Sequence, residues 1–404
     1  MHRYKVLGKK GEGTFSEVLR ACSLDSPQRE VAIKCMKRRY TSSAEINDLL
    51  EIQALKQLGA HPHIVGLQEV LFEQGRLAMV FELMDMNLYE LIKDRKTHLA
   101  EQRVSRWMLQ LGLALAFVHS AGLMHRDVKP ENVLLSGSNL DHLKLADLGS
   151  SCRIGQRRRS SGFISISSGN PAHTEYISTR WYRSPQCLLT SGFYGPKMDI
   201  WAMGCVWTET LTLQPLFPGK DELDQINRIH QILGSPDRET LSTFRRHSHG
   251  ALKDISLPTF RSDNGLKIKL SHCSDDVICI ISKLLAYEET TRFSSSELIL
   301  SPFWNQFKDV SIDCIPIPPP VRKSEPRAPL AMHPSVAVTD AKIKLALQKN
   351  YEEKKFDSVG GLSTDLYPTL ISPKKRAPFR VNAVLAREAT LLPPLVSHPY
   401  NRNP

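Results

Sequence analysis

The hydrophobic periodicity of this chain changes once along its length, and that change limits the folds open to it. Up to about Phe81 the apolar residues fall in short runs between turns: Tyr4-Lys5-Val6-Leu7, Glu17-Val18-Leu19-Arg20, Glu30-Val31-Ala32-Ile33-Lys34 and Leu77-Ala78-Met79-Val80-Phe81 read as strands. One helix is expected to interrupt them, because Ile46, Leu49, Leu50, Ile52, Leu55 and Leu58 recur near helical spacing and Ser42-Ser43 can cap its start. Later the pattern is mainly helical, with Val104 to His119, Ile200 to Leu211 and Val277 to Leu285 reading as buried or amphipathic helices. Strands first and helices later predict an α+β fold of two adjoining lobes, with a ligand cleft where they meet. The small β-rich lobe is expected over about residues 1–83 and the larger α-helical lobe over about 84–308. A chain of 404 residues is long enough to build both. Beyond about Lys308 the prolines 316 and 318–320 open a basic stretch with little periodicity, so residues 309–404 are expected to be a mostly disordered tail.

Composition narrows the setting. No apolar run approaches the roughly 20 residues needed to span a bilayer, and Met1-His2-Arg3-Tyr4 leads into a strand pattern rather than a signal peptide. The expectation is a soluble cytoplasmic protein, also nuclear if Ser372-Pro373-Lys374-Lys375-Arg376 acts in import rather than as a proline-directed phosphosite, although plain solvated charge is the simpler account of so short a run. Eight cysteines without a CxxC pair or matching histidine spacing suggest neither disulfides nor a zinc site, and most are expected to be reduced, buried thiols. The formal net charge of +11 favours acidic partners, yet the interleaved aromatics of a nucleic-acid binder are missing and a merely basic surface is the plainer reading.

Three segments carry chemistry. Gly11-Glu12-Gly13-Thr14-Phe15-Ser16-Glu17-Val18 joins two strands, and its bare glycine amides can approach a triphosphate closely, although a hairpin turn would use the same residues. Lys34 follows at the spacing of a strand lysine that contacts α- and β-phosphates, with Glu51 on the next helix placed to pair with it. The third segment is His125-Arg126-Asp127-Val128-Lys129-Pro130-Glu131-Asn132, with Asp147-Leu148-Gly149 after it.

Together these residues resemble the eukaryotic protein kinases, and the resemblance runs from about Tyr4 to Phe307 through Thr179-Arg180-Trp181-Tyr182-Arg183-Ser184-Pro185-Gln186, Asp199-Ile200-Trp201 and Arg292. It implies an enzyme that phosphorylates serine or threonine with ATP and Mg2+. Asp127 would accept or orient the hydroxyl proton, Lys129 would neutralise the transferred group, and Asn132 and Asp147 would ligate the metal. Gly11 and Gly13 would cradle phosphates, while Val18, Ala32 and Leu134 would sandwich the base. Phe81 would be the gatekeeper, and the backbone of Glu82 and Met84 would bond adenine. Thr174-Glu175-Tyr176, Trp181-Tyr182-Arg183 and the segment after Pro215-Leu216-Phe217-Pro218-Gly219 are similar to the CMGC group of cyclin-dependent and mitogen-activated kinases. Glu82 to Leu91 and Asn227 to Gly234 resemble the subfamily of MAPK/MAK/MRK-overlapping and male germ cell-associated kinases. Phosphorylation of Thr174 and Tyr176, and a preference for proline after the acceptor carried by Arg183, follow only from that resemblance. So do the implied partners: protein substrates with serine or threonine acceptors, an upstream kinase and chaperones. The composition adds the expectation of no membrane and no specific nucleic acid, and the chain is expected to be a monomer.

The chain departs from the pattern in four places. Leu148 replaces a phenylalanine, and Ser16 replaces the third loop glycine. Gln186 replaces a glutamate that pairs with an arginine, here Arg292, so the site is expected to be either partly solvated or loosely held. Gly155 to Phe163 adds length before Thr174, either as a regulatory insertion that favours phosphorylation of Ser160 or as a tolerated excursion. A nucleotide-binding scaffold with weak or no transfer activity is the alternative reading.

Overall fold

Alternating apolar residues draw the first strands into one antiparallel sheet. β1 (Tyr4–Glu12), β2 (Ser16–Ser23), β3 (Glu30–Arg39), β4 (Leu67–Glu73) and β5 (Arg76–Glu82) lie in the order β1-β2-β3-β5-β4. Register sets Val18 opposite Lys34 and Ala32 opposite Phe81, so these four side chains share one face. Leu19, Val31, Ile33 and Val80 bury against one another on the other face. The computed structural model describes residues 3–154, 180–190, 194–248, 257–261 and 264–307, all within the unit Met1–Val338. The expected tail, the insertion at 155–163 and the Thr174/Tyr176 pair lie outside the described residues.

The single helix expected before β4 is two. α1 (Ser43–Asn47) starts at Ser42, whose Oγ accepts from the Glu45 amide at 3.3 Å, and α2 (Leu50–Leu58) follows a break. Asn47 and Asp48 are weak helix formers, and Leu49 turns extended with φ −64° and ψ 127°. The break aims Glu51 and Ile52 inward and leaves Leu50 exposed.

After the hinge, β6 (Met86–Asn87) pairs with β8 (Val133–Ser136), which pairs with β9 (His142–Leu145); β7 (Leu123–Met124) pairs with β10 (Cys152–Arg153). Helices build the rest of this lobe: α3 (Leu88–Ile92), α4 (Glu101–Ser120), α5 (Pro185–Leu189), α6 (Lys197–Thr212), α7 (Glu222–Leu233), α8 (Arg238–Arg246), α9 (Gly265–Lys269), α10 (Asp275–Leu284) and α11 (Ser295–Ile299). α4 and α6 are apolar on almost every side because both run through the core, where Trp107, Trp201, Trp207 and Trp304 are fully buried. Thr208 and Thr210 are accommodated in α6 by donating to the carbonyls of Gly204 and Val206 at 2.9 and 2.7 Å. Gly204 lets α10 come close, since a Cβ there would stand 2.9 Å from Leu285 Cδ2.

Among the described residues no helix is long and apolar enough to cross a membrane. All the described cysteines are free thiols, but burial is less general than expected: Cys22 and Cys205 are buried, Cys35, Cys152, Cys187 and Cys273 are half-buried, and Cys279 is exposed.

Candidate active site

Lys34 projects from β3 on the face that packs against α2, and it meets two carboxylates. Its Nζ lies 2.7 Å from Glu51 Oε1 and 3.0 Å from Asp147 Oδ1. Burial alone would depress this ammonium, but the two acids outweigh it and push its pKa up to about 12. Burial also raises the Glu51 carboxyl, against the pull of Lys34. Asp147 stands in the left-handed region at φ +63°, and its side chain is 41% exposed, at the mouth of the cleft.

The loop between β7 and β8 supplies a second cluster. Lys129 Nζ lies 2.9 Å from Asp127 Oδ2, and Asn132 Nδ2 donates to the Asp127 backbone carbonyl at 2.8 Å and to its Oδ2 at 3.0 Å. That loop is tied to the core by Asp199, buried near the start of α6. One carboxylate oxygen accepts from the Arg126 amide at 2.7 Å; the other accepts from the His125 amide at 2.8 Å and contacts His119 Nε2 at 2.9 Å. Burial pushes the Asp199 carboxyl upward, but His119 and the Arg126 amide hold it below its ordinary value. Arg126, at φ +68°, donates from Nε to the Ser150 carbonyl at 2.6 Å. Asp199 carries no role legible in the Asp199-Ile200-Trp201 run; its one sequence signal is an acid at the head of an apolar helix.

Gly11 faces Val18 in the β1–β2 ladder, and the turn closes with Gly13 N–H donating to the Ser16 carbonyl at 2.8 Å. A Cβ added at Gly11 would meet no protein atom within 4 Å, so there is open space beside the backbone there. Val18 and Ala32 lie on the Lys34 face of the sheet, with Phe81 beside Ala32. Glu82 ends β5, Met84 is buried, and Leu134 lies half-buried on β8 opposite Asn87. Leu148 is buried where a larger ring was expected.

Gln186 and Arg292 meet as expected, but in a setting that is neither solvated nor loose. Arg292 is fully buried and Gln186 nearly so. Arg292 Nη2 donates to Gln186 Oε1 at 3.1 Å, to the Ala286 carbonyl at 2.6 Å and to the Tyr287 carbonyl at 3.1 Å. Its Nε reaches Ala286 O at 2.8 Å, its Nη1 reaches Lys197 O at 3.3 Å, and the guanidinium lies over the Trp201 ring at 5.0 Å. Carbonyl dipoles take the place of the missing carboxylate. Nearby, buried Glu209 accepts from the Tyr182 hydroxyl at 2.8 Å.

The family described as protein kinase domain matches residues 4–304. The chain is 42% identical over 308 residues to MAPK/MAK/MRK overlapping kinase of Homo sapiens, an alignment that covers 76% of this chain and 68% of that protein. It is 37% identical over 322 residues to Cyclin-dependent kinase F-4 of Oryza sativa subsp. japonica, covering 80% and 64% of the two chains. It is also 37% identical over 306 residues to Serine/threonine-protein kinase ICK of Mus musculus, covering 75% and 45%. The fold and these similarities agree, and the chain belongs to the protein kinase family, among serine/threonine kinases of the cyclin-dependent and MAK-like branch.

Proposed function

We propose that this chain transfers the γ-phosphoryl group of ATP to serine and threonine hydroxyls of protein substrates. The observation that carries the reading is the convergence of Lys34, Glu51, Asp127, Lys129, Asn132 and Asp147, drawn from β3, α2 and two loops, into two charged clusters, joined where the Ala146 amide, next to Asp147, donates to the Asn132 carbonyl at 2.9 Å. In this reading Asp127 accepts or orients the substrate proton, and Lys129 neutralises charge on the transferred group. Lys34, held by Glu51, contacts the α- and β-phosphates beneath the Gly11–Gly13 turn. Adenine bonds the backbone of Glu82 and Met84 between Val18, Ala32 and Leu134, with Phe81 behind it.

Asn132 and Asp147 fit a hard divalent cation such as Mg2+, because both offer oxygen and the Asn132 amide nitrogen is already engaged by Asp127, which leaves Oδ1 as its ligand atom. Such an ion, when bound, supplies positive charge to the phosphate oxygens. Arg183, half-buried and 4.0 Å from Glu222, is the residue to which a preference for proline after the acceptor is attributed. Regulation is attributed to phosphorylation of Thr174 and Tyr176, with Arg126 as the cation that receives the phosphothreonine. Cytoplasmic residence, extended to the nucleus if Ser372-Pro373-Lys374-Lys375-Arg376 acts in import, a monomeric state and an upstream kinase complete the reading.

The scaffold alternative is motivated by Gln186, Leu148 and the added length at 155–163, and the bonds that Arg292 makes weigh against the first of these alone. Transfer from labelled ATP to a generic basic protein decides between the two. Wild type should label it and Asp127→Asn should not; equal labelling by both, or by neither, sinks the proposal. Loss of activity in Thr174→Ala and Tyr176→Phe, with phosphate found on both residues by mass spectrometry, is the outcome the regulatory part requires.

A further inference from the structure

The carboxylate of Glu82 gathers three segments of chain where the two lobes meet. Lys144 Nζ, from β9, lies 2.8 Å from both of its oxygens, and the Gly66 amide, in the loop between α2 and β4, donates to Oε1 at 2.7 Å. Glu82 itself is the last residue of β5, where the chain turns into the hinge. The same loop is fastened to β9 a second time: Val65 N–H donates to Leu145 O at 2.9 Å, Leu145 N–H to His63 O at 2.9 Å, and His63 Nδ1 lies 3.0 Å from Leu143 O. Beyond Glu82, the Asp85 amide donates to Leu135 O on β8 at 3.0 Å. The fit around the carboxylate is close, since a Cβ at Gly66 would stand 3.3 Å from Glu82 Oε1.

We propose that Lys144 is a positioning residue for the nucleotide: acting through Glu82, it fixes the hinge against the α2–β4 loop and β9, and so sets the backbone edge that adenine meets. The inference rests on the reading of Glu82 and Met84 as that edge. Lys144 stands opposite Leu134 in the β8–β9 ladder, so the strap lies beside the floor proposed for the base rather than beside the phosphates. Both partners are largely sheltered, with side-chain exposures of 20% for Lys144 and 31% for Glu82, and two short bonds from one ammonium restrict the carboxylate more than a single surface contact does. The strap is present together with the Lys34–Glu51 and Lys34–Asp147 contacts. It therefore belongs to the assembled cleft, and losing it should loosen the adenine edge rather than release an inhibited state.

Adenosine tests this directly, because it has no phosphates and does not feel a change of charge through them. Calorimetric titration of full-length Lys144→Met with adenosine should show affinity weakened about five- to tenfold, the scale of one charge-assisted bond. The KM for ATP should rise by a similar factor while kcat stays within about twofold, and Lys144→Arg should recover most of the loss. Equal adenosine affinity in wild type and Lys144→Met, even with a lower melting temperature, would overturn the positioning role alone. So would a higher kcat at unchanged affinity, which is the mark of a brake. Wild-type protein that binds neither adenosine nor ADP would overturn the reading of the hinge, and this inference with it.

Discussion

Lys34 and Arg292 are both cations held inside the protein, one in the cleft and one in the helical core, and their partners are of opposite kinds. Lys34 keeps a 17% exposed side chain and two carboxylates, which push its pKa up to about 12. Arg292 is fully buried, has no carboxylate within bonding distance among the described residues, and directs its donors to carbonyls and one amide oxygen; burial brings its pKa down to about 10. An anchoring cation can be satisfied by fixed dipoles, which cost nothing to desolvate anew. The cation that works on phosphate is held by one buried acid, Glu51, and keeps a second, more exposed one, Asp147, whose charge an incoming ligand can replace.

The largest effect that could break this comparison is catalytic. Lys34→Met and Asp147→Asn should each lower turnover by about a thousandfold or more, roughly 4 kcal/mol of barrier, with an unchanged melting profile. Retention of more than about a tenth of the wild-type rate, only ~1.4 kcal/mol, would show that the cleft cation is as structural as the other. Arg292→Ala should act the other way, lowering stability in denaturant by about 3–5 kcal/mol because several buried carbonyls lose their donor at once. A loss below ~1 kcal/mol would mean that water serves them equally well.

Glu209 extends the comparison to a buried acid that pairs with no cation among the described residues. Burial raises its carboxyl to about 7, against the opposing bond from Tyr182. Between its ordinary value of 4.5 and about 7 the unfolded chain is ionised while the folded chain stays protonated, so stability falls as pH rises through that window and is level above it. Glu209→Gln imitates the protonated form and should remove the fall, a gain of at most ~3 kcal/mol at pH 8 and none at pH 4, by thermal melts at both. Parallel melting curves at the two pH values would refute this. The smallest effect belongs to Gln186→Glu: a carboxylate would face Arg292 but lose the bond that Gln186 Nε2 donates to the Tyr287 carbonyl. The net change should stay under ~1 kcal/mol. A gain above ~3 kcal/mol would show that the arginine had been left uncompensated after all.

The parts of the cleft that were legible in the sequence are those whose chemistry is local. His125 to Asn132 lie within one loop, and Lys34 and Asp147 stand at spacings that only their joint task explains. What was not legible depends on distant chain. The apolar spacing from Ile46 to Leu58 suits one helix, and nothing in it announces that Leu49 must turn extended to bring Glu51 under Lys34. Glu82 and Lys144 are 62 residues apart and carry no shared pattern. For Gln186 the missing carboxylate could be noticed, but the carbonyls of Ala286, Tyr287 and Lys197 that replace it are backbone atoms with no signature in residue identity.

The anchoring of His125 and Arg126 to Asp199 has a consequence for time as well as for shape. α6 lies at the centre of the largest core, so an opening that frees those two amides has to disturb the helix that holds them. In deuterated buffer they should exchange as slowly as the amides of α6 itself, although they belong to neither helix nor strand. A loop would then outlast much of the regular structure around it, and Asp127, next in the chain, would keep its place until the helical lobe itself melts.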